Sequence, residues 1–191
     1  MSKRLAYLLS NVLHPAIFLV CSTALYSSFV RQPKAYALLD TLILVAGIIP
    51  ALTYVEVLKQ RGAVASRHLT KREERPVALA LALAGFVGSL VVYRLINAPE
   101  QLIVELLILL IGGIPISLIT LVWKISFHAA VAAACAALFL TISPLVTLCL
   151  MALALLVGLA RIPIDHHTPA QVVAGWAYGF LVTAALSALF A

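Results

Sequence analysis

The chain has 191 residues, of which 64% are hydrophobic and 10% charged, with a formal net charge of +6 and a mean hydropathy of +1.13. A soluble domain carries about 25% charged residues, and no core of this size hides so much apolar surface, so lipid must solvate most of the chain. The basic excess comes without a basic tail or an aromatic-interleaved patch, which argues against nucleic acid; it lies in loops, where it meets lipid headgroups or an anionic substrate.

Seven apolar segments follow one another, at residues 5–30, 36–58, 77–97, 100–122, 127–143, 145–160 and 168–190. Each is expected to be helical, because backbone groups in lipid need partners within their own segment. The expected fold is all-α, a polytopic bundle of six or seven transmembrane spans. It forms a single integral-membrane domain over 1–191, with its motif-bearing core at about 59–190. Lys3 and Arg4 before the first segment resemble a signal peptide, but 5–30 is long for its apolar region, so an uncleaved first span is expected. Asn11 and His14-Pro15 interrupt it, and His14 reads as a packing residue. Cys21, Cys135 and Cys149 read as small buried hydrophobes. Asp40, Arg94 and Glu105 are expected to form an ion cluster joining the second, third and fourth spans. The fifth and sixth segments are short for the roughly 20 residues that a span needs. Only Ser143-Pro144 separates them, so they form a tight hairpin or one does not cross, which leaves six. Gly175 and Gly179 make a GxxxG, a signal of close helix packing.

The only long polar stretch is 59–76, KQRGAVASRHLTKREERP, with eight charges. If all seven segments cross, this loop shares a face with the N-terminus and with loops 123–126 and 161–167. Three helix starts on that face carry polar residues: Arg75 before Pro76, Ser126 with His128, and Arg161 with His167 before Thr168-Pro169, an N-cap and first-turn proline. Helix starts offer N–H groups and a positive dipole end, and arginine forks match phosphate oxygens, so the set reads as an anion site suited to phosphoryl transfer. One histidine serves as nucleophile and another protonates the leaving oxygen. No carboxylate cluster is spaced for magnesium and no HExxH occurs, so neither metal nor cofactor is expected.

The pattern resembles the type 2 phosphatidic acid phosphatases, the lipid phosphate phosphatases related to vanadium haloperoxidases, whose signature is K-x6-R-P, P-S-G-H and S-R-x5-H-x3-D. Here the three parts are HLTKREERP from His68 to Arg75-Pro76, Ile125-Ser126-Phe127-His128, and Ala160-Arg161 with His167 five residues on. The resemblance implies a metal-independent phosphatase acting on a lipid phosphate or polyprenyl diphosphate through a phosphohistidine. It implies His167 as nucleophile and His128 as general acid. Arg75 and Arg161 would hold phosphate oxygens, and Ser126 and the Phe127 N–H would donate to them. Partners would be membrane lipid and the phosphorylated lipid substrate, and a homo-oligomer is compatible with the sequence.

Three positions depart from the signature. His68 replaces its lysine; Lys71 and Lys124 are the candidate substitutes, though neither is in register. Phe127 replaces the glycine, and Gln171 replaces the aspartate that orients the nucleophile. A glutamine carbonyl still accepts from an imidazole but adds no charge, and Glu56 is a candidate for the missing carboxylate. The departures leave open an alternative, an altered or inactive member that binds lipid phosphate or serves assembly. A transporter is disfavoured, because no paired interrupted helices occur in matching halves. His166 misses the register and reads as a loop residue, Asp165 as a helix cap or partner of a loop cation, and 71–74 as a solvated face. Sorted by the seven-span model, ten basic residues lie toward the motifs and three, Arg31, Lys34 and Arg94, lie opposite. By the excess of Lys and Arg, the motif face is expected to be cytoplasmic.

Overall fold

The computed structural model describes residues 1–29 and 34–190, with the side chains of all but 34 and 35. Arg31 and the Lys34 side chain, both counted toward sidedness, lie outside the described residues. The chain is all-helical, and no strand occurs among the described residues. The helices are α1 (Lys3–Val12), α2 (Pro15–Phe29), α3 (Lys34–Gln60), α4 (Pro76–Leu95), α5 (Glu100–Val122), α6 (Phe127–Ala137), α7 (Pro144–Ala160) and α8 (Pro169–Phe190), with a 3-10 turn at Arg72–Glu74.

Four helices are long and apolar enough to cross a membrane: α3 from Tyr36, α4, α5 and α8. The first segment is broken. α1 and α2 meet at a 46° bend, and as one broken span they make a fifth. Pro15 is the cause: it lacks an N–H and disfavours helical geometry at His14, so one helix ends and another begins there. α6 has 11 residues and α7 has 17. At 1.5 Å per residue α6 extends about 17 Å, well short of a hydrocarbon core of about 30 Å. Length and composition therefore support four to five spans. α6 stops before the apolar run ends because the chain winds into tight turns (Phe139 N–H to Ala136 O, 3.2 Å; Leu140 N–H to Ala137 O, 3.1 Å). Ser143 then caps α7, with Pro144 in its first turn. Leu145, Leu148 and Leu181 are exposed, as side chains facing lipid would be.

The described residues group into two compact units, Met1–Arg31 with Ile125–Ala191, and Gln32–Lys124. In the first, α6 runs through the middle, packed by α2, α7 and α8. Its inward positions are mostly alanines, with Ala132, Ala133, Cys135 and Ala136 almost wholly buried. Phe18, Val157 and Ala154 close around them, with Trp176 and Phe180 alongside. α8 approaches so closely that a Cβ on Gly179 would collide with the Ala130 carbonyl, and one on Gly175 would meet the Ser126 carbonyl. The GxxxG thus packs helix against helix, as its spacing suggests. Cys135 is buried beside the Ser22 hydroxyl at 3.0 Å, whereas Cys21 and Cys149 are exposed rather than buried as expected.

In the second unit α4 packs between α3 and α5. The polar stretch after α3 folds back so that Val64, Leu69 and Ala78 cluster with Tyr54, Val55 and Leu58. The expected Asp40–Arg94–Glu105 cluster takes another form. Asp40 and Glu105 are buried, but Arg94 is exposed in the last turn of α4. Tyr93, its neighbour, is the residue that donates to the Asp40 carboxylate.

Candidate active site

Three helix starts in the first unit carry the polar groups. Ser126 caps α6, its hydroxyl accepting the Ala129 N–H at 3.4 Å. Phe127 follows as the first helical residue, where the N–H has no intrahelical acceptor, and His128 is buried in the same turn. Thr168 caps α8. Its hydroxyl accepts the Gln171 N–H at 3.3 Å, while the Gln171 side-chain oxygen accepts the Thr168 N–H at 3.1 Å. This reciprocal pair is a capping box with glutamine at the third helical position. The two starts are joined directly, because the Ser126 N–H donates to the Gln171 carbonyl at 3.2 Å.

The same Gln171 oxygen lies 3.2 Å from His167 Nδ1. Since it accepts a backbone N–H it must be the carbonyl oxygen, so Nδ1 is the donor and carries the proton. The neutral ring therefore presents a lone pair at Nε2. The one Gln171 oxygen thus faces both the Thr168 N–H and the His167 ring, and its place in the capping box supplies a physical reason for an amide there.

The third start was missed as a functional position. His14 caps α2: its carbonyl accepts the Phe18 N–H at 2.9 Å and its Nδ1 accepts the Ala16 N–H at 3.3 Å. Neutral His14 thus holds its proton on Nε2. Its ring stands edge-on to His128, with centroids 5.5 Å apart, and the Arg161 charge reaches it. His14-Pro15 is a cap-and-proline signature that does point to a helix start; nothing local to it points to His128.

Arg161 is 1% exposed, at the end of α7. Its carbonyl accepts both the His166 and His167 N–H groups at 3.2 Å, so the loop winds back over it. The two imidazoles then diverge, His167 toward Gln171 and His166 onto Arg161, with His166 Nδ1 2.7 Å from Arg161 Nη2. His166 is therefore buried against the arginine, contrary to its reading as a loop residue. Asp165 does pair with a cation, Lys3 at 3.0 Å, and both side chains are largely exposed.

His68, Arg75 and Lys124 belong to the second unit. Arg75 is buried just before Pro76. Its Nε donates to the Leu69 carbonyl at 3.0 Å and its Nη1 to Thr120 Oγ1 at 3.2 Å. Leu69 has φ 44°, an uncommon left-handed conformation for a non-glycine residue, and it turns the carbonyl that Arg75 uses. Burial pulls the Arg75 pKa below the usual arginine value, against the opposing charges of Glu74 and Glu73. Thr120 was not anticipated, because only tertiary folding brings it to Arg75. His68 and Lys124 are half-buried, and the His68 N–H donates to Ser66 Oγ at 3.2 Å. Glu56 is engaged within its own unit, by Arg67 at 2.5 Å and Gln60 at 3.2 Å. Arg72 and Glu73 form the exposed ion pair expected of a solvated face, at 2.8 Å.

Fold and site together define an all-helical protein with apolar helices of membrane-crossing length, a buried arginine against His166, and His14, His128 and His167 at or beside helix starts. No family model matches the chain, and neither does a curated protein or a solved structure.

Proposed function

We propose that the chain is an integral-membrane, metal-independent phosphatase that hydrolyses a lipid phosphate or polyprenyl diphosphate through a phosphohistidine. The observation that carries the reading is the tautomer of His167. A buried imidazole whose Nδ1–H is held by the Gln171 carbonyl carries its lone pair on Nε2, the nitrogen that a nucleophilic role requires. In this scheme His167 Nε2 attacks phosphorus while the bond to the lipid oxygen breaks, and His128 gives its proton to that oxygen. Water then attacks the phosphohistidine with His128 as base, the P–N bond breaks, and orthophosphate leaves. Arg161 offsets the charge on the equatorial oxygens. Roles for Arg75, His68 and Lys124 are proposed on the family resemblance alone. A count of six or seven spans, with the site toward the cytoplasmic face, belongs to the same proposal and rests on the apolar segments and the Lys and Arg bias.

The second reading is a phosphate-binding member without turnover. It is favoured by the neutral Gln171, which cannot stabilise an imidazolium by charge. Purified protein assayed against phosphatidate, phosphatidylglycerol phosphate and polyprenyl diphosphate, with orthophosphate release as readout, separates the two. Release that survives chelator and is inhibited by vanadate is the expected result. Binding without release from any of these lipids supports the second reading, and a strict magnesium requirement refutes the mechanism.

A further inference from the structure

The 10 residues of α1 extend about 15 Å, half the thickness of a hydrocarbon core. Placed about 100° apart around the axis, its side chains sort into three arcs. Ala6 and Ser10 are buried and Leu9 is half-buried. Ala6 and Leu9 pack on Ala160, at the end of α7, and on Ile164 in the loop beyond it. The next arc holds Leu9's neighbours Leu5, Val12 and Leu8, all exposed. Arg4, Asn11, Tyr7 and Lys3 fill the last arc and are exposed as well.

A helix inside a span shows lipid an apolar outer surface. The outer surface of α1 is divided lengthwise instead, apolar on one side and polar on the other, which is the pattern of a helix lying between lipid and water. Two contacts orient the polar side. Lys3 pairs with Asp165 at 3.0 Å, both side chains largely exposed, and Tyr7 packs edge-on against His166 with centroids 5.9 Å apart. The water side of α1 is therefore the side on which loop 161–167 lies. Arg4 stands at the border of the polar and apolar arcs, where a long basic side chain keeps its stem on lipid and its charge among headgroups. The bend at Pro15 permits the placement: with α2 tilted by about 20°, an ordinary value, a 46° bend brings α1 as far as about 66° from the membrane normal.

We infer that α1 is a membrane-surface helix seated on an anionic bilayer. Leu5, Leu8 and Val12 dip into the acyl boundary, Lys3 and Arg4 meet the headgroups, and loop 161–167 is held at headgroup level beside them. Any crossing by the first apolar segment is then left to α2. This placement needs only a membrane and is independent of the phosphatase reading.

Leu5→Cys, Leu8→Cys, Val12→Cys and Arg4→Cys, each alone in full-length protein lacking native cysteines, carry a nitroxide label in vesicles of phosphatidylcholine and phosphatidylglycerol. Relative accessibility to oxygen and to a water-soluble nickel chelate gives the depth of each label, and thermal unfolding confirms the fold. Positions 5 and 12 lie about 10 Å apart along the axis, so in a span their depths differ by about that much. On a surface helix both should lie about 5–10 Å below the headgroups, no more than about 5 Å apart in depth, with the Arg4→Cys label in water. A larger difference in depth, or an Arg4→Cys label shielded from the chelate, places α1 inside a span and overturns the inference. The charge is tested with a bimane label at Leu8→Cys, quenched by spin-labelled phosphatidylglycerol or phosphatidylcholine at equal content. One or two basic residues near an anionic surface predict about 5- to 30-fold enrichment of the anionic lipid there, falling to parity when Lys3→Gln and Arg4→Gln are added. Equal quenching by the two lipids, or an enrichment that the double substitution leaves unchanged, overturns the inference as well.

Discussion

Replacing Gln171 with leucine separates helix capping from catalysis. The substitution keeps bulk but deletes one oxygen that serves two donors, the Thr168 N–H at 3.1 Å and His167 Nδ1 at 3.2 Å. Neutral hydrogen bonds contribute about 0.5–1.5 kcal/mol each, so the stability loss should be about 1–3 kcal/mol. The Thr168 hydroxyl still caps the Gln171 position from its own side, which favours the lower half of that range. For turnover, only the imidazole contact counts. Its loss predicts a fall in kcat/KM of about 2- to 13-fold from the same 0.5–1.5 kcal/mol. Gln171→Asp keeps the acceptor and adds charge, so turnover should be retained or raised. A carboxylate there favours the imidazolium and raises the His167 pKa. The nucleophile must be neutral, so the acidic limb of the kcat/KM profile should move to higher pH. The assay is orthophosphate release between about pH 5 and 9, with thermal unfolding in parallel. A folded Gln171→Leu protein with wild-type turnover would refute the argument, and so would a stable but inactive Gln171→Asp.

Other outcomes follow from the same geometry. His167→Ala and His128→Ala should each lower orthophosphate release by about 10²–10⁴-fold while the protein still folds; activity within a few-fold of wild type for His167→Ala refutes the nucleophile. Gly179→Leu should destabilise by about 1–3 kcal/mol or more, because its side chain meets the Ala130 carbonyl; an unchanged melting temperature in detergent contradicts the packing described. Ala65→Cys, at an exposed position in a variant lacking native cysteines, should resist a membrane-impermeant maleimide in intact cells and react after lysis. Labelling before lysis places that loop outside and refutes the cytoplasmic assignment.

What could be read from the sequence was what is decided locally. Thr168-Pro169 announces a helix start because capping involves only the next three residues, and the 59–76 stretch announces a loop by its charge. Gly175 and Gly179 announce close packing, although not against which helix. Hydropathy does not sense direction, so the bend at Pro15 passed as an interruption within one span. Nor does it sense winding, so α6 was drawn on to residue 143 although it ends at Ala137. The missed site groups, His14 and His166, depend on partners that only folding supplies: His14 meets a ring 114 positions away, and His166 reaches Arg161 through a turn that its own sequence does not advertise. Asp40 pairs with Tyr93 rather than lying beside Arg94 for a related reason: adjacent residues on a helix point about 100° apart.

The central position of α6 has a consequence for how the protein is made. Lipid offers little hydrophobic drive for one helix to find another, so a short, alanine-lined helix is retained by contact alone. Burying alanine costs no side-chain entropy, which makes that contact favourable once the neighbours are present. Those neighbours lie on both sides of it in the sequence: α2 is synthesised before the whole Gln32–Lys124 unit, and α8 emerges after α6. During biogenesis α2 must therefore wait, its inner face uncovered, until α6 has followed the Gln32–Lys124 unit. His14 and His128 meet only then, and the start of α8 is tied to α6 later still, through the Gln171 carbonyl, so a chain truncated within α8 should be inserted in the membrane and yet never mature.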